Sequence, residues 1–214
     1  MGREVLTGWG RTAPSAAEVV RPADAGSVAA ALASPGPRGA IARGLGRSYG
    51  DAAQNAGGTV VATASLDHIA WSDDSAGLLT VGAGTSLDAI LRALVPRGWF
   101  VPVSPGTRFV SVGGAIAADV HGKNHHADGS FASHVTSLTL ATPVGTREVT
   151  RSDDPDLFWA TAGGMGLTGI ILGATIHMLP IETSRVRVVT ERAADLDDVM
   201  ARMSSGDGFS TTWN

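Results

Sequence analysis

Hydrophobic positions fall into short runs separated by glycine, proline and hydroxyl residues, and the runs switch between the strand period and the helix period. Gly39 to Arg43, Thr59 to Thr63 and Leu78 to Ala83 read as strands, with a polar turn at Ser72 to Ser75 before the third. Ala16 to Ala33 reads as an Ala- and Val-rich helix, entered near Asp24 to Ser27 and ended by Ser34-Pro35-Gly36-Pro37. Leu87, Ile90, Leu91 and Leu94 recur at helical spacing behind a Thr85 or Ser86 cap, and Pro96-Arg97-Gly98 stops that helix. Trp99 to Val103 predicts a fourth strand and Val112 to Asp119 a helix. Ser137 to Ala141 and Arg147 to Thr150 predict a hairpin through Pro143-Val144-Gly145. Asp156 to Ala160 reads as a short helix behind an acidic cap, and Thr168 to Met178 as a β-branched strand following Gly163-Gly164-Met165-Gly166.

That order predicts an α+β fold with a mixed sheet. Past Pro180 the pattern changes: Arg185 to Val189 alternates like a new strand, Leu196 to Met203 repeats like a helix, and Ser210 to Asn214 enters a further strand. One domain is expected over 1–180, in two parts of about 1–65 and 66–180, with 181–214 beginning an incomplete second domain.

Composition narrows the chemistry. Hydrophobic residues make up 43% and charged residues 17%, which favours a packed core over disorder. The formal charge of −4 with no basic stripe argues against a general nucleic-acid surface. The absence of cysteine removes disulfides, thiolate metal sites and any cysteinyl cofactor link. Met1 to Thr7 lacks the apolar centre of a signal peptide. Leu167 to Ile181, broken by Thr168, Thr175, His177 and Pro180, falls short of the ~20 residues of a membrane span. A soluble chain is expected, cytoplasmic or in peripheral contact with the membrane at the cell envelope, the periplasmic face included.

Two glycine-rich segments carry the functional signal. Ala42-Arg43-Gly44-Leu45-Gly46-Arg47-Ser48-Tyr49-Gly50-Asp51 follows one strand, and Ser104-Pro105-Gly106-Thr107 leads to Ser111-Val112-Gly113-Gly114-Ala115. Such segments bring backbone N–H groups close to phosphate oxygens, and the helix starting at Val112 adds its N-terminal N–H groups and dipole. Gly44 to Gly50 is G-x-G-x-x-x-G followed by a turn-rich stretch, so the nicotinamide fingerprint fails on spacing and context. A dinucleotide held from two sides is expected, against the plainer reading of each segment as a structural turn.

His121-Gly122-Lys123-Asn124-His125-His126 supplies a polar cluster. With Asp119 and Asp128 its histidines read as a metal site, a solvated loop, or an anion-stabilising or substrate-binding group; Gly122, Gly129 and Lys123 weigh against metal, and none is expected. Trp9, flanked by Gly8 and Gly10, is a candidate ligand contact. Trp71, Trp159 and Trp213 read as packing residues, and His68, His134 and His177 as structural.

Gly8-Trp9-Gly10-Arg11-Thr12-Ala13-Pro14, Arg43 to Asp51, Pro105-Gly106-Thr107, Val112 to Ile116, His121 to His126 and Phe158-Trp159-Ala160-Thr161 together resemble the FAD-binding part of the decaprenylphosphoryl-ribose 2′-oxidase family. That family belongs to the vanillyl-alcohol-oxidase type of flavoproteins, and the likeness covers roughly residues 6 to 180. It implies a two-part FAD domain of the PCMH type. Ala42, Arg43, Gly44, Leu45, Gly46, Arg47, Ser48, Tyr49, Gly50, Asp51 and Ala52 would form one wall, and Gly106, Ser111, Val112, Gly113 and Gly114 the other. Ala118, Asp119, Val120 and His121 would run along the flavin, and Ile171 would lie by the adenosine side.

The resemblance also implies oxidation of the sugar 2′-hydroxyl of a polyprenyl-phosphate ribose, with hydride passing to flavin N5. His121 and Lys123 would be the catalytic pair near sugar and flavin, and Trp9 and Tyr49 would shape the pocket. An NAD-dependent partner reductase would complete epimerisation towards a cell-wall arabinan precursor. Related sugar and alditol oxidases often carry a flavin-linking His in the first loop, where this chain has Arg47, and there is no cysteine for the other common link, so non-covalent FAD is expected. The family continues beyond the stretch present here, which leaves two alternatives: an FAD-binding fragment without turnover, or an alditol or aldonolactone oxidase of the same fold.

Overall fold

A computed structural model describes residues 2–204. The expected strand over Ser210 to Asn214, and Trp213, lie outside them. The elements in order are β1 (Gly2–Leu6), β2 (Ser15–Val20), α1 (Ala25–Ala33), β3 (Ala40–Arg43), β4 (Thr59–Ala62), β5 (Ile69–Asp73), β6 (Leu78–Gly82), α2 (Leu87–Leu94), β7 (Trp99–Phe100), α3 (Val112–Ala117), α4 (His125–Asp128), β8 (Val135–Thr142), β9 (Gly145–Thr150), α5 (Pro155–Thr161), β10 (Ile170–His177), β11 (Leu179–Pro180) and α6 (Leu196–Ser204).

The fold is α+β. A four-stranded mixed sheet runs β1-β2-β4-β3, with β1 antiparallel to β2 and the remaining pairs parallel. A five-stranded antiparallel sheet runs β5-β6-β10-β8-β9, and β7 pairs with β11. Parallel pairing of β3 with β4 sends the chain out of Arg43 and back only at Thr59, so a long loop is left at the end of β3.

One face of the antiparallel sheet carries the larger core. Leu79, Val81, Leu138, Leu140 and Ile176 meet Leu87, Ile90 and Leu94 of α2, Ala115 and Ile116 of α3, Phe131, and Phe158 of α5, all at most 1% exposed. A second cluster joins the sheets: Val28, Ala31 and Leu32 of α1 pack with Val61 of β4 and with Ala141, Ile170 and Leu172. Along β10, Ile170 and Leu172 face α1 and Ile171 faces the larger core, as strand alternation requires. The β-bulge between Ile171 and Gly173 returns Ala174 and Ile176 to the larger core.

The expected helix over Ala16 to Ala33 occupies only Ala25–Ala33. Ser15–Val20 is instead a strand, because Ala17 and Val19 alternate into a core with Ile41 and Val60 and its edges pair with β1 and β4. Asp24 caps α1 by accepting from the Ser27 N–H at 2.7 Å. The expected turn at Ser72 to Ser75 begins two residues later, since Ser72 and Asp73 still belong to β5. The strand expected over Trp99 to Val103 is regular only at Trp99–Phe100, the residues facing Leu179–Pro180; Val101 and Val103 are buried without a ladder. Arg185 to Val189 forms no strand: it pairs with no segment among the described residues, and Val188 and Val189 are exposed rather than packed. β1 was not foreseen. No helix among the described residues is long and apolar enough to cross a membrane.

Candidate functional site

The glycine loop after β3 and the start of α3 face each other across an open cleft. Its atom-free space is about 910 Å³ including the open mouth. Ala42, Gly44, Leu45, Gly46, Arg47 and Ser48 line one side. Ser111, Gly113, Gly114, Ala118, Val120 and Ile171 line the other. Arg47 is the one charged residue among the lining.

The loop's shape follows from close approaches. A Cβ on Gly44 would overlap the Ser111 hydroxyl, so only glycine lets the loop touch the cap of α3. Gly46 has φ +66°, a conformation that side-chain-bearing residues rarely adopt. Among the described residues, the N–H groups of Leu45, Gly46, Arg47 and Ser48 meet no protein acceptor. Four consecutive donors beside a cleft with no acidic lining are suited to an anion.

The second segment differs. Ser111 caps α3 by accepting from the Gly114 N–H at 3.3 Å. The Val112 N–H donates to Thr85 O at 2.9 Å, Gly113 to Ala83 O at 2.8 Å and Ala115 to Ser111 O at 2.8 Å. The expectation that the N-terminal N–H groups of this helix are offered to phosphate is therefore corrected: Ala83 and Thr85, just past β6, and Ser111 already consume them. Gly113 serves packing, since a Cβ there would sit 2.9 Å from the Ala83 Cβ. Val112 points into the core and is fully buried.

The remaining candidates lie around the cleft rather than in its lining. Arg43 sits behind the loop, donating to Ala53 O at 3.2 Å and Thr7 O at 2.7 Å, and burial pushes its pKa down. Trp9 is 56% exposed and lies under the Arg47 guanidinium, 4.4 Å from its ring centroid. Arg47 also donates to Phe109 O at 3.0 Å, so its side chain reaches from the first loop to the approach of the second. Tyr49, Gly50, Asp51 and Gly106 are exposed. Tyr49 and Ser48 use their carbonyls to accept from the N–H groups of Gly10 and Trp9, at 3.1 and 2.7 Å.

Beyond α3, Asp119 takes φ +39° and its carboxylate accepts from the Ala132 N–H at 3.0 Å, away from the lining. His121 bridges to Ser130, and its ring lies 5.3 Å from that of His125. Both His121 and Lys123 are exposed, at the end of the segment whose Ala118 and Val120 line the cleft. The Asp128 carboxylate accepts from the Asn124 amide at 2.7 Å. Among the described residues no three His, Asp or Glu side chains group to hold a metal ion.

Sequence reasoning missed a third wall. Met165, Gly166 and Gly169 line the cleft beside Ile171, as do Ala53, Thr63, Val110 and Ala117, while Ala52 lines it as part of the expected first wall. The Gly163-Gly164-Met165-Gly166 run was the available signal. It turns under α3 with Gly163 N–H on Ile116 O at 3.0 Å and Met165 N–H on Ala117 O at 2.8 Å. These walls fit FAD: a donor-rich loop for the diphosphate, and small or apolar surfaces for flat rings.

The FAD binding domain family matches residues 16–151. The chain is 50% identical, over 98% of its length, to decaprenylphosphoryl-beta-D-ribose oxidase of Mycolicibacterium smegmatis, of which it covers 46%. It is 25% identical, over 66% of its length, to probable L-gulonolactone oxidase 4 of Arabidopsis thaliana, of which it covers 26%. The chain thus spans at most about half the length of these relatives. The solved structure of an alkyldihydroxyacetonephosphate synthase superposes with a TM-score of 0.66 at 19% identity, covering 76% of this chain and 32% of that one, which shows a shared fold. Matched over most of its length by the model of that domain, the chain belongs to the FAD binding domain family.

Proposed function

We propose that this chain holds FAD non-covalently between the Gly44–Ser48 loop and α3, as the flavin-holding portion of an oxidoreductase. Its reaction is oxidation of the 2′-hydroxyl of decaprenylphosphoryl-β-D-ribose to the 2-keto sugar, a step towards a cell-wall arabinan precursor. The observation that carries this reading is the row of N–H groups without a protein acceptor on residues that line a cleft whose other walls are mostly small or apolar. The 50% identity to an oxidase of that name supports the substrate class.

When bound, FAD supplies a two-electron acceptor for the hydride that leaves the sugar carbon. The Leu45–Ser48 backbone holds the diphosphate, and Ala118, Val120 and Ile171 give the rings a small, apolar bed. A neutral His121 ring nitrogen polarises the reacting hydroxyl and takes its proton as the hydride leaves, and the Lys123 ammonium stabilises negative charge as it develops. Trp9 and Tyr49 border the sugar. Residues 1–180, in parts of about 1–65 and 66–180, form the FAD domain, and 181–214 begin a substrate domain. An NAD-dependent reductase consumes the keto sugar, and the polyprenyl chain keeps the reaction in peripheral contact with the membrane at the cell envelope.

A second reading, a module that retains FAD but turns nothing over, is favoured by the placement of His121 and Lys123, exposed and outside the lining of the cleft. One experiment separates the two: an absorbance spectrum of the purified chain before and after acid precipitation, then anaerobic titration with the lipid-linked ribose. Flavin released to the supernatant and bleached by substrate is the expected result. Released flavin that substrate does not bleach supports the module, and a folded, colourless chain refutes FAD retention by these residues.

A further inference from the structure

Arg43 carries a charge that no side chain neutralises. It ends β3, is half-buried, and among the described residues has no Asp or Glu within ion-pair distance. Its guanidinium spans three segments: it donates to Thr7 O at 2.7 Å and to Ala53 O at 3.2 Å, and Nη2 lies 2.5 Å from where a Cβ on Gly46 would stand. The first segment, termed the arm below, is the connection between the paired strands β1 and β2, the second the return of the glycine loop, the third the loop itself.

The arm has further ties to that loop. Trp9 N–H donates to Ser48 O at 2.7 Å and Gly10 N–H to Tyr49 O at 3.1 Å, and a Cβ on Gly8 would overlap Gly50 O. Trp9 also lies beneath Arg47. Arm and loop are therefore held as one unit, with a guanidinium behind a loop of unpaired N–H groups. Carbonyl dipoles offset only part of the cost of a half-buried cation, and an anion on the loop offsets more.

We propose that Arg43 is a positioning residue that couples docking of the Thr7–Arg11 arm to occupation of the Gly44–Ser48 loop by a diphosphate. The inference rests on the reading of that loop as the diphosphate site. Because coupling is reciprocal, a diphosphate tightens the arm and a docked arm raises diphosphate affinity by the same factor. Only a planar fork reaches both carbonyls, so lysine keeps the charge and loses the tie.

Trypsin cleavage after Arg11, an exposed residue of the arm, reports docking. With ADP as the probe, wild-type cleavage should slow about fivefold or more, and riboflavin, which lacks the diphosphate, should not change it. Arg43→Gln should be cleaved faster and lose the response even at saturating ADP. Arg43→Lys should bind ADP better than Arg43→Gln and still give no protection. A residue that serves stability alone would raise the cleavage rate and leave the ADP effect intact; that result overturns the proposal.

If Arg43→Gln does not fold, Gly8→Ala, whose Cβ would overlap Gly50 O and push the arm off the loop while leaving β1 in its sheet, tests the coupling from the other side. ADP affinity should fall about fivefold, and unchanged affinity overturns the proposal. A wild-type chain that binds neither FAD nor ADP refutes the reading of the loop, and the coupling with it. Binding without any change at Arg11 refutes the coupling alone.

Discussion

The Gly44–Ser48 loop and the Ser111–Gly114 segment look alike in sequence and do different work. Both follow an apolar stretch, both carry glycines beside a serine, and both line the same cleft. In the first, four successive N–H groups have no protein acceptor among the described residues. In the second, Thr85, Ala83 and Ser111 take every N–H at the start of α3. Glycine at Gly46 permits a left-handed turn, whereas glycine at Gly113 permits contact with Ala83. Small residues thus mark close approach, and the fate of the N–H groups tells whether a ligand or the protein itself is approached.

The largest effect expected from testing this contrast lies where the two segments touch. Gly44→Ala drives a methyl into the Ser111 hydroxyl and displaces the α3 cap. The combined cost is about 3 kcal/mol, or roughly 10 °C in a thermal melt of a chain this size. An unchanged melting temperature would show that the segments are not locked together.

Next come paired substitutions that should separate ligand from scaffold. Gly46→Ala forces a side chain into φ +66° against the Arg43 guanidinium. Isothermal titration should show ADP affinity falling about tenfold, equivalent to the ~1–2 kcal/mol of a left-handed residue. Gly113→Ala should destabilise by about 1–2 kcal/mol through overpacking on Ala83 and leave ADP affinity within about twofold. The reverse pattern would exchange the roles of the two segments.

The smallest effect concerns how the second segment is anchored. Asp88, at the start of α2, pairs with Arg92 at 2.8 Å and with Arg108 at 2.6 Å on the approach to Ser111. The hydrogen bond from Arg92, with the Arg108 charge behind it, holds this carboxyl below its ordinary range. A depressed folded-state pKa stabilises above the unfolded value and is lost as pH falls through the folded one. The melting temperature of wild type should therefore exceed that of Asp88→Asn slightly near neutral pH, and the gap should close below about pH 4. A gap that widens in acid would contradict the pairing.

Much of this was legible in advance, for identifiable reasons. Helical spacing at Leu87, Ile90 and Leu94 located α2, because one buried face decides that helix. The hairpin β8–β9 was legible from Pro143-Val144-Gly145, since its turn chemistry is local. Ser15–Val20 was misread because its strand character comes from partners on both sides rather than from its Ala-rich sequence. In the site, the sequence carried both glycine walls but not the hydrogen-bond acceptors at Ala83 and Thr85, just past β6, that close one of them. The third wall at Met165 and Gly166 comes to the cleft only through its turn under α3, a long-range contact no local pattern encodes.

Amide hydrogen exchange with and without saturating ADP tests the central contrast most directly. The account predicts that Leu45, Gly46, Arg47 and Ser48 exchange fast in the free chain and become protected by ligand, while Val112, Gly113 and Gly114 are already slow and change little. Protection gained at Val112–Gly114 with none at Leu45–Ser48 would contradict it and return the phosphate site to the start of α3.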